Sequence, residues 1–253
     1  KKNILSYFRE KMEPIVKDLN NSKKDREEKA KEVNYVINDL KENLIKEIIS
    51  LAKKEKWSSN DILNNILMIA YCSNIVMIES RNKVWAYEYM AFARRIGELW
   101  ESFCRLCWEY NPNVELFNPP TFKEVREGLE NEIKGYIQNL KISKEEKEEL
   151  IAYYSKVWNL LTSGEINLHS DLHFKIADTK YIVDLKSGFS SNEKGNTNRL
   201  LLVASIYKSL KDNYECLIFV RSAEDEANNY LQTLKKSKLW KGYCSEEAYE
   251  KMK

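Results

Sequence analysis

The hydrophobic pattern changes period at Ser163-Gly164, and that change limits what the chain can fold into. Upstream, to about residue 162, apolar residues recur at three- and four-residue steps. Val33, Ile37, Leu40, Leu44, Ile48 and Leu51, with Lys and Glu between them, draw one apolar stripe and one solvated face. The segment NDILNNILMIAYCSNIVMIES is more uniformly apolar and reads as a buried helix. A third long helix spans about 82 to 109 and is dense in Trp, Tyr and Phe. YNPNVELFNPPTF, with three of the four prolines, is an irregular connection. Two further helices follow, the second opening on Ser143-Lys144-Glu145-Glu146, a capping-box pattern.

Downstream, EINLHSDLHFKIADTKYIVDLKSGF alternates apolar and polar residues with period two, interrupted at Ala177-Asp178-Thr179-Lys180: a β-hairpin. The polar run GFSSNEKGNTN predicts a loop, RLLLVASIYKSL a helix, ECLIFVR a strand, and Ser222 the cap of another helix. KLWKGYCSEEAYEKMK closes the chain. The expected class is α+β, a small mixed sheet from residue 165 onward packed on a large helical layer.

With 253 residues the chain can bury a sizeable core. Its 41 basic and 39 acidic residues nearly cancel, so a nucleic-acid partner would have to be met by charge arranged locally. The Lys-rich stretch 23–32 is balanced by Asp25, Glu27, Glu28 and Glu32, a solvated face and not a basic arm. No run of 18 uncharged apolar residues predicts a membrane span, and KKNILSYFREKMEP is too charged for a signal peptide. The missing initiator Met, and an end that breaks off in a helical pattern, predict trimmed termini. Five Cys, the CxxC of Cys104 and Cys107 among them, have no second pair or nearby His. They read as packed thiols in a reducing cytoplasm.

The tripeptide Asp-Leu-Lys occurs twice, at 39–41 and 184–186. An acid two residues before a base arises by chance about six times in such a composition, so only local geometry discriminates. Asp39 and Lys41 lie on a helix, where i and i+2 stand about 200° apart, pointing away from each other on a solvated surface. Asp184 and Lys186 lie on a strand and share one face, while Tyr181, Val183 and Leu185 take the apolar face. On the preceding strand Leu172, Phe174 and Ile176 take the core side and His169, Asp171 and His173 the other. Asp171 and Asp184 then converge at the end distant from the turn, with Lys186 beside them. Two carboxylates suit Mg²⁺ completed by substrate phosphate. An adjacent lysine orients or deprotonates a water. The set fits metal-assisted hydrolysis of a phosphodiester.

Asp171, a short turn, and Asp184-Leu185-Lys186 at the end of an apolar strand resemble the PD-(D/E)xK nuclease superfamily, whose well-known members are type II restriction endonucleases. Ser170 stands where the name-giving proline would be. The resemblance implies that Asp171 and Asp184 hold Mg²⁺ and that Lys186 positions the attacking water. It implies a further acid on the helix before the hairpin: Glu101 in RRIGELWESFCRLCWE, with Glu98 behind it and Glu165 a third choice. It also implies sequence-specific cleavage of double-stranded DNA to 5′-phosphate and 3′-hydroxyl ends, a homodimer, and a cognate methyltransferase encoded nearby. Residues 81–253 would form the nuclease core, with the catalytic hairpin at 165–186, and 1–80 a helical region for dimerisation or clamping DNA.

The run 188–199, rich in Ser, Asn, Lys and Arg, offers Asn192, Lys194, Asn196, Asn198 and Arg199 as DNA contacts. Three alternatives stay open: a structure-dependent repair or phage nuclease on the same core, a non-catalytic DNA-binding protein, and a transition-metal site at His169-x-Asp171-x-His173. The aromatic series Trp85, Tyr89, Phe92, Trp100, Phe103, Trp108 is expected to pack as core.

Overall fold

The structure, a computed structural model, describes residues 1–161, 166–189 and 194–252, with the backbone alone for 157–161 and 224. Among the described residues it is α+β. Helices α1 (Lys2–Asn21), α2 (Arg26–Glu55), α3 (Ser59–Val84), α4 (Tyr89–Glu109), α5 (Phe122–Gln138) and α6 (Lys144–Leu161) precede most of the sheet. Strands β2 (Leu172–Ile176) and β3 (Thr179–Lys186) form the hairpin. Helix α7 (Lys194–Ser209), β4 (Asn213–Val220), α8 (Asn229–Lys236), β5 (Trp240–Cys244) and α9 (Ser245–Met252) complete it.

Local signals set the helix starts. Asp25 with Glu28, Thr121 with Glu124, and Ser143 with Glu146 each exchange side-chain and backbone hydrogen bonds in a capping box. The cap of α8 is Asn228 and not Ser222, and it follows a 3-10 turn at Glu224–Ala227. In the hairpin turn Ala177 takes a positive φ of 51°.

The sheet runs β1 (Glu115–Leu116), β2, β3, β4, β5, antiparallel at its first two junctions and parallel at the last two. Two strands lie where the sequence predicts none. β1, inside the supposed connector, pairs with β2, so the sheet does not begin at 165. β5 continues the parallel side, although its Lys241 and Gly242 mask its pattern.

Both faces of the sheet are covered. Leu172, Phe174, Val183, Leu185 and Phe219 pack against Trp100, Cys104 and Trp108 of α4 and Ala248 of α9. Ile182, Cys216, Ile218 and Val220 pack against Leu200, Val203, Ala204 and Tyr207 of α7 and Leu231 and Leu234 of α8. A β-strand–helix–parallel-strand connection through α7 lays a helix across the face that carries Asp184. That face is therefore not the open surface that alternation suggests, and Ile176, placed in the core by alternation, is 37% exposed at the turn.

Helices α1, α2 and α3 form a second core around Phe8, Val33, Ile37, Ile66, Ile69 and Val76, to which Leu99 of α4 contributes. Residue 80 falls inside α3, so a boundary there would cut a helix. α3 is long and apolar enough to cross a bilayer, but it packs as the central helix of this layer and buries Ser73 and Arg81. The aromatic series divides. Trp100 and Trp108 are buried, whereas Tyr89 is 82% exposed and Phe92 stands partly in solvent, because α4 exposes its first turns; Trp85, partly in solvent too, is the C-cap of α3. All five cysteines are buried and outside any disulfide, and burial raises the Cys104 thiol far above its usual range.

Candidate active site

β3 is the middle strand, and Asp184 sits in it fully buried, facing Ile218 across the parallel ladder. An unpaired carboxylate in that setting costs several kcal/mol. Two cations compensate it. Lys186, two residues on and on the same face, puts Nζ 2.5 Å from Oδ1, and Arg199 of α7 puts Nη2 3.3 Å from Oδ2. The lysine approaches obliquely, as an ion pair, so Oδ1 is a buried oxygen without an aligned hydrogen-bond donor.

Asp171 lies one residue before β2, where the Leu172–Val183 register extends to set it opposite Asp184. Its Oδ2 accepts the Leu185 amide proton at 2.6 Å. Burial and the Asp184 charge push the Asp171 carboxyl up to about 6, with Glu101 adding to the rise and the Leu185 hydrogen bond and Lys186 opposing it.

Glu101 is half-buried on α4, with its charge acting on Asp171. Glu98 is exposed and occupied by Arg94 and Arg95, each at 3.0 Å. Gly97, one turn before Glu101, lets α4 close on the end of β3: a Cβ there would meet Ser187 Oγ at 3.3 Å. Glu165 and Asn192 lie outside the described residues.

Lys194, Asn196, Asn198 and Arg199 are not in a loop; they occupy the first turns of α7. The helical period there begins at Thr197 and continues through Leu200, Val203, Ala204 and Tyr207, and a polar first member conceals it. Lys194 and Asn198 are exposed, whereas Arg199 turns to Asp184 and to the His169 carbonyl at 3.4 Å, with Asn196 accepting from its Nε at 3.3 Å. Arg199 is thus part of the carboxylate site. A charged residue in a central strand demands a cation nearby, and that demand was the available signal.

The chain leaving Lys186 is anchored by Asp225, whose Oδ2 accepts the Phe189 amide proton at 2.9 Å, and the Lys186 carbonyl accepts from the Arg221 amide at 2.9 Å. His169 and His173 do not form a cage with Asp171. His173 accepts the Ser170 amide proton at Nε2, and burial lowers it to about 4, so it is neutral. Among the described residues no three His, Cys, Asp or Glu side chains gather as a ready metal cluster. The donors that do converge are Asp171, Asp184 and its buried Oδ1. This set suits Mg²⁺, which takes one or two carboxylates and completes its octahedron with waters and phosphate.

Beside Asp171 opens a polar cavity of about 330 Å³ between α4 and the start of β2. A larger one, about 1020 Å³, lies at the opposite end of β3 around Lys180 and Tyr214. There the charges pair off, Lys180 with Asp212 and Lys211 with Glu132.

The second Asp-Leu-Lys behaves differently. Asp39 is exposed and accepts from Asn43, while Lys41 is half-buried, and burial lowers its pKa. The two do point apart, but Lys41 is not on a solvated surface. Comparison with known protein families, with curated proteins and with solved structures finds no match to the chain.

Proposed function

We propose that the chain is a Mg²⁺-dependent endonuclease on a restriction-endonuclease-like core, cutting double-stranded DNA at specific sequences in the manner of type II restriction enzymes. The observation that carries the reading is the buried Asp184 in the central strand, ion-paired to Lys186 and facing Asp171. A fold gains nothing in stability from a carboxylate there that an isoleucine would not supply, so function accounts for it better.

Mg²⁺ held by Asp171 and Asp184 would supply Lewis-acid polarisation of the phosphoryl group. Lys186 orients the attacking water for in-line displacement at phosphorus, its own position fixed by Asp184 Oδ1. The 3′-oxygen leaves with a proton and the 5′-phosphate remains on the other fragment. Arg199 adds a fixed positive charge at the opposite carboxylate oxygen and fastens α7 to the segment before β2. Glu101, whose charge acts on Asp171, would take a proton from the attacking water. Lys194 and Asn198, exposed on the same helix, would contact the duplex. Double-strand cutting calls for two copies, one site for each strand. Buried cysteines outside any disulfide support a reducing compartment such as the cytoplasm.

Incubation of the purified chain with a mixed-sequence plasmid and Mg²⁺ tests the reading. Discrete bands are expected. A smear would point to a structure-dependent nuclease on the same core, and intact plasmid across Mg²⁺ and Mn²⁺ would defeat the proposal. Lys186→Ala is expected to abolish cutting and to keep DNA binding in Ca²⁺.

A further inference from the structure

The cavity beside Asp171 has a chemistry of its own. Arg105 of α4 enters it, its Nη1 only 3.3 Å from the Asp171 carbonyl and its Nε at a long 3.4 Å from Glu109, so the guanidinium keeps donors to give. Ser170 Oγ is buried there without a hydrogen-bond partner among the described residues. Asn118 and His169 are exposed at the rim, and Leu116 and Phe117 supply an apolar wall. About 330 Å³ is at the small end of ligand pockets, the scale of a single nucleotide and not of a peptide or a cofactor. A guanidinium with donors still to give, an unpaired hydroxyl, an amide and a planar apolar wall are the groups that recognise a phosphate attached to a ring.

We infer that this cavity is a nucleotide subsite. It takes the nucleotide next to the scissile phosphate, with Arg105 and Ser170 on its phosphate and Phe117 and His169 along its sugar and base. The inference rests on the nuclease reading for its place in the reaction. Asp171 forms one wall, so the subsite adjoins the carboxylate that faces Asp184. Its charge repels a phosphate, and Arg105 offsets that repulsion. Arg105 is then a positioning residue: it sets the register of the strand and does not touch the reacting atoms.

The chain has two histidines, and both line this cavity, so their imidazole proton signals report on its occupancy without interference. The experiment titrates the full chain with a deoxynucleoside 5′-monophosphate in the absence of metal, while a parallel sample is assayed for plasmid cutting. Both imidazole signals are expected to shift saturably, inorganic phosphate to bind more weakly, and the unphosphorylated deoxynucleoside not to bind. Arg105→Ala should weaken binding at least tenfold and raise KM for DNA with little change in kcat. Arg105→Lys should restore part of both, and Ser170→Ala should weaken binding several-fold in a folded chain.

Imidazole signals unmoved at millimolar nucleotide in a chain that cuts DNA would overturn the subsite and leave the nuclease reading intact. Saturable binding in a chain that cuts nothing would overturn the nuclease reading and leave a nucleotide-binding cavity. Binding equal in parent, Arg105→Ala and Ser170→Ala would overturn the subsite as drawn.

Discussion

Arg199, in the first turns of α7, reaches Asp184 in the middle strand of the sheet, Nη2 to Oδ2 at 3.3 Å. The contact ties the crossover helix to the one buried carboxylate of the sheet and leaves Lys186 to the other oxygen. Arg199→Ala removes half of that compensation. Its side chain is about a third exposed, so water replaces part of the loss, and a destabilisation of about 1–2 kcal/mol in urea unfolding is expected. Plasmid cutting should fall at least tenfold in kcat, and Arg199→Lys should recover stability better than rate, having no fork to span Asp184 and the His169 carbonyl. Lys194→Ala and Asn198→Ala should instead weaken DNA binding with kcat kept, and the lysine variant should flatten the salt dependence by about one unit of slope. A kcat loss in Lys194→Ala larger than in Arg199→Ala would reverse the roles assigned to the two cations.

Two glutamates one turn apart on α4 separate by the same logic. Glu101 acts on Asp171 and Glu98 is spent on Arg94 and Arg95. Glu101→Gln is expected to reduce cutting by about tenfold or more, within the range for a proton-transfer or positioning group. Glu98→Gln should stay within twofold of the parent. Equal rates for all three proteins would remove Glu101 from the site.

Much of this arrangement was legible before any coordinates, and the residues show why. Period-two alternation places Val183 and Leu185 opposite Asp184 and Lys186, and the strand geometry requires it. The burial of Asp184 was not legible from β3 alone, since alternation reads as one solvated face. The warning lay in the unbroken apolar run of β4, the mark of a strand covered on both sides. β1, two residues long, is too short to carry a period, and β5 hides behind Lys241 and Gly242. Choosing Glu101 over Glu98 requires the docking angle of α4. Its local trace is Gly97, the small residue one turn earlier against Ser187.

Two buried groups shift in ways that oppose each other with pH. The Asp171 carboxyl is raised to about 6 by burial and Asp184, with Glu101 and Lys186 as its other charged neighbours. The folded state therefore holds its proton longer than the unfolded chain, and its contribution to stability is lost as pH rises from near 4 through 6. His173, lowered to about 4 by burial, with His169 and Arg105 also disfavouring its charge, has the reverse sign. Its contribution is complete above about 6.5 and is lost as pH falls towards 4. The parent should show a shallow profile between pH 4 and 6.5. Asp171→Asn should be more stable than the parent above pH 6, by on the order of 1–3 kcal/mol, with the gap closing near pH 4. His173→Gln should uncover the opposite slope, stability falling as pH rises. Mg²⁺ at ten times its Kd should add about 1.4 kcal/mol to the parent at pH 7.5 and far less to Asp171→Asn. Parallel profiles in parent and Asp171→Asn would refute the raised carboxyl.

The Asp-Leu-Lys at 39–41 provides a control inside the same chain. Its helix separates the two charges, Asp39 engages Asn43 four residues on at 3.1 Å, and Lys41 is partly sequestered near Glu109 and pairs with Asn38 at 3.3 Å. On a helix the pair has no strand ladder to set a second carboxylate opposite it, so the three letters lack the geometry that β3 gives them. Asp39→Ala combined with Lys41→Ala should cut plasmid at the parental rate. It should lose no more than about 1 kcal/mol of stability, chiefly from the half-buried lysine stem. The paired substitution at Asp184 and Lys186 should abolish cutting. A loss of cutting in the helical pair without a matching loss of stability would mean that the N-terminal helices contribute to the reaction, and that the strand geometry does not distinguish the two copies.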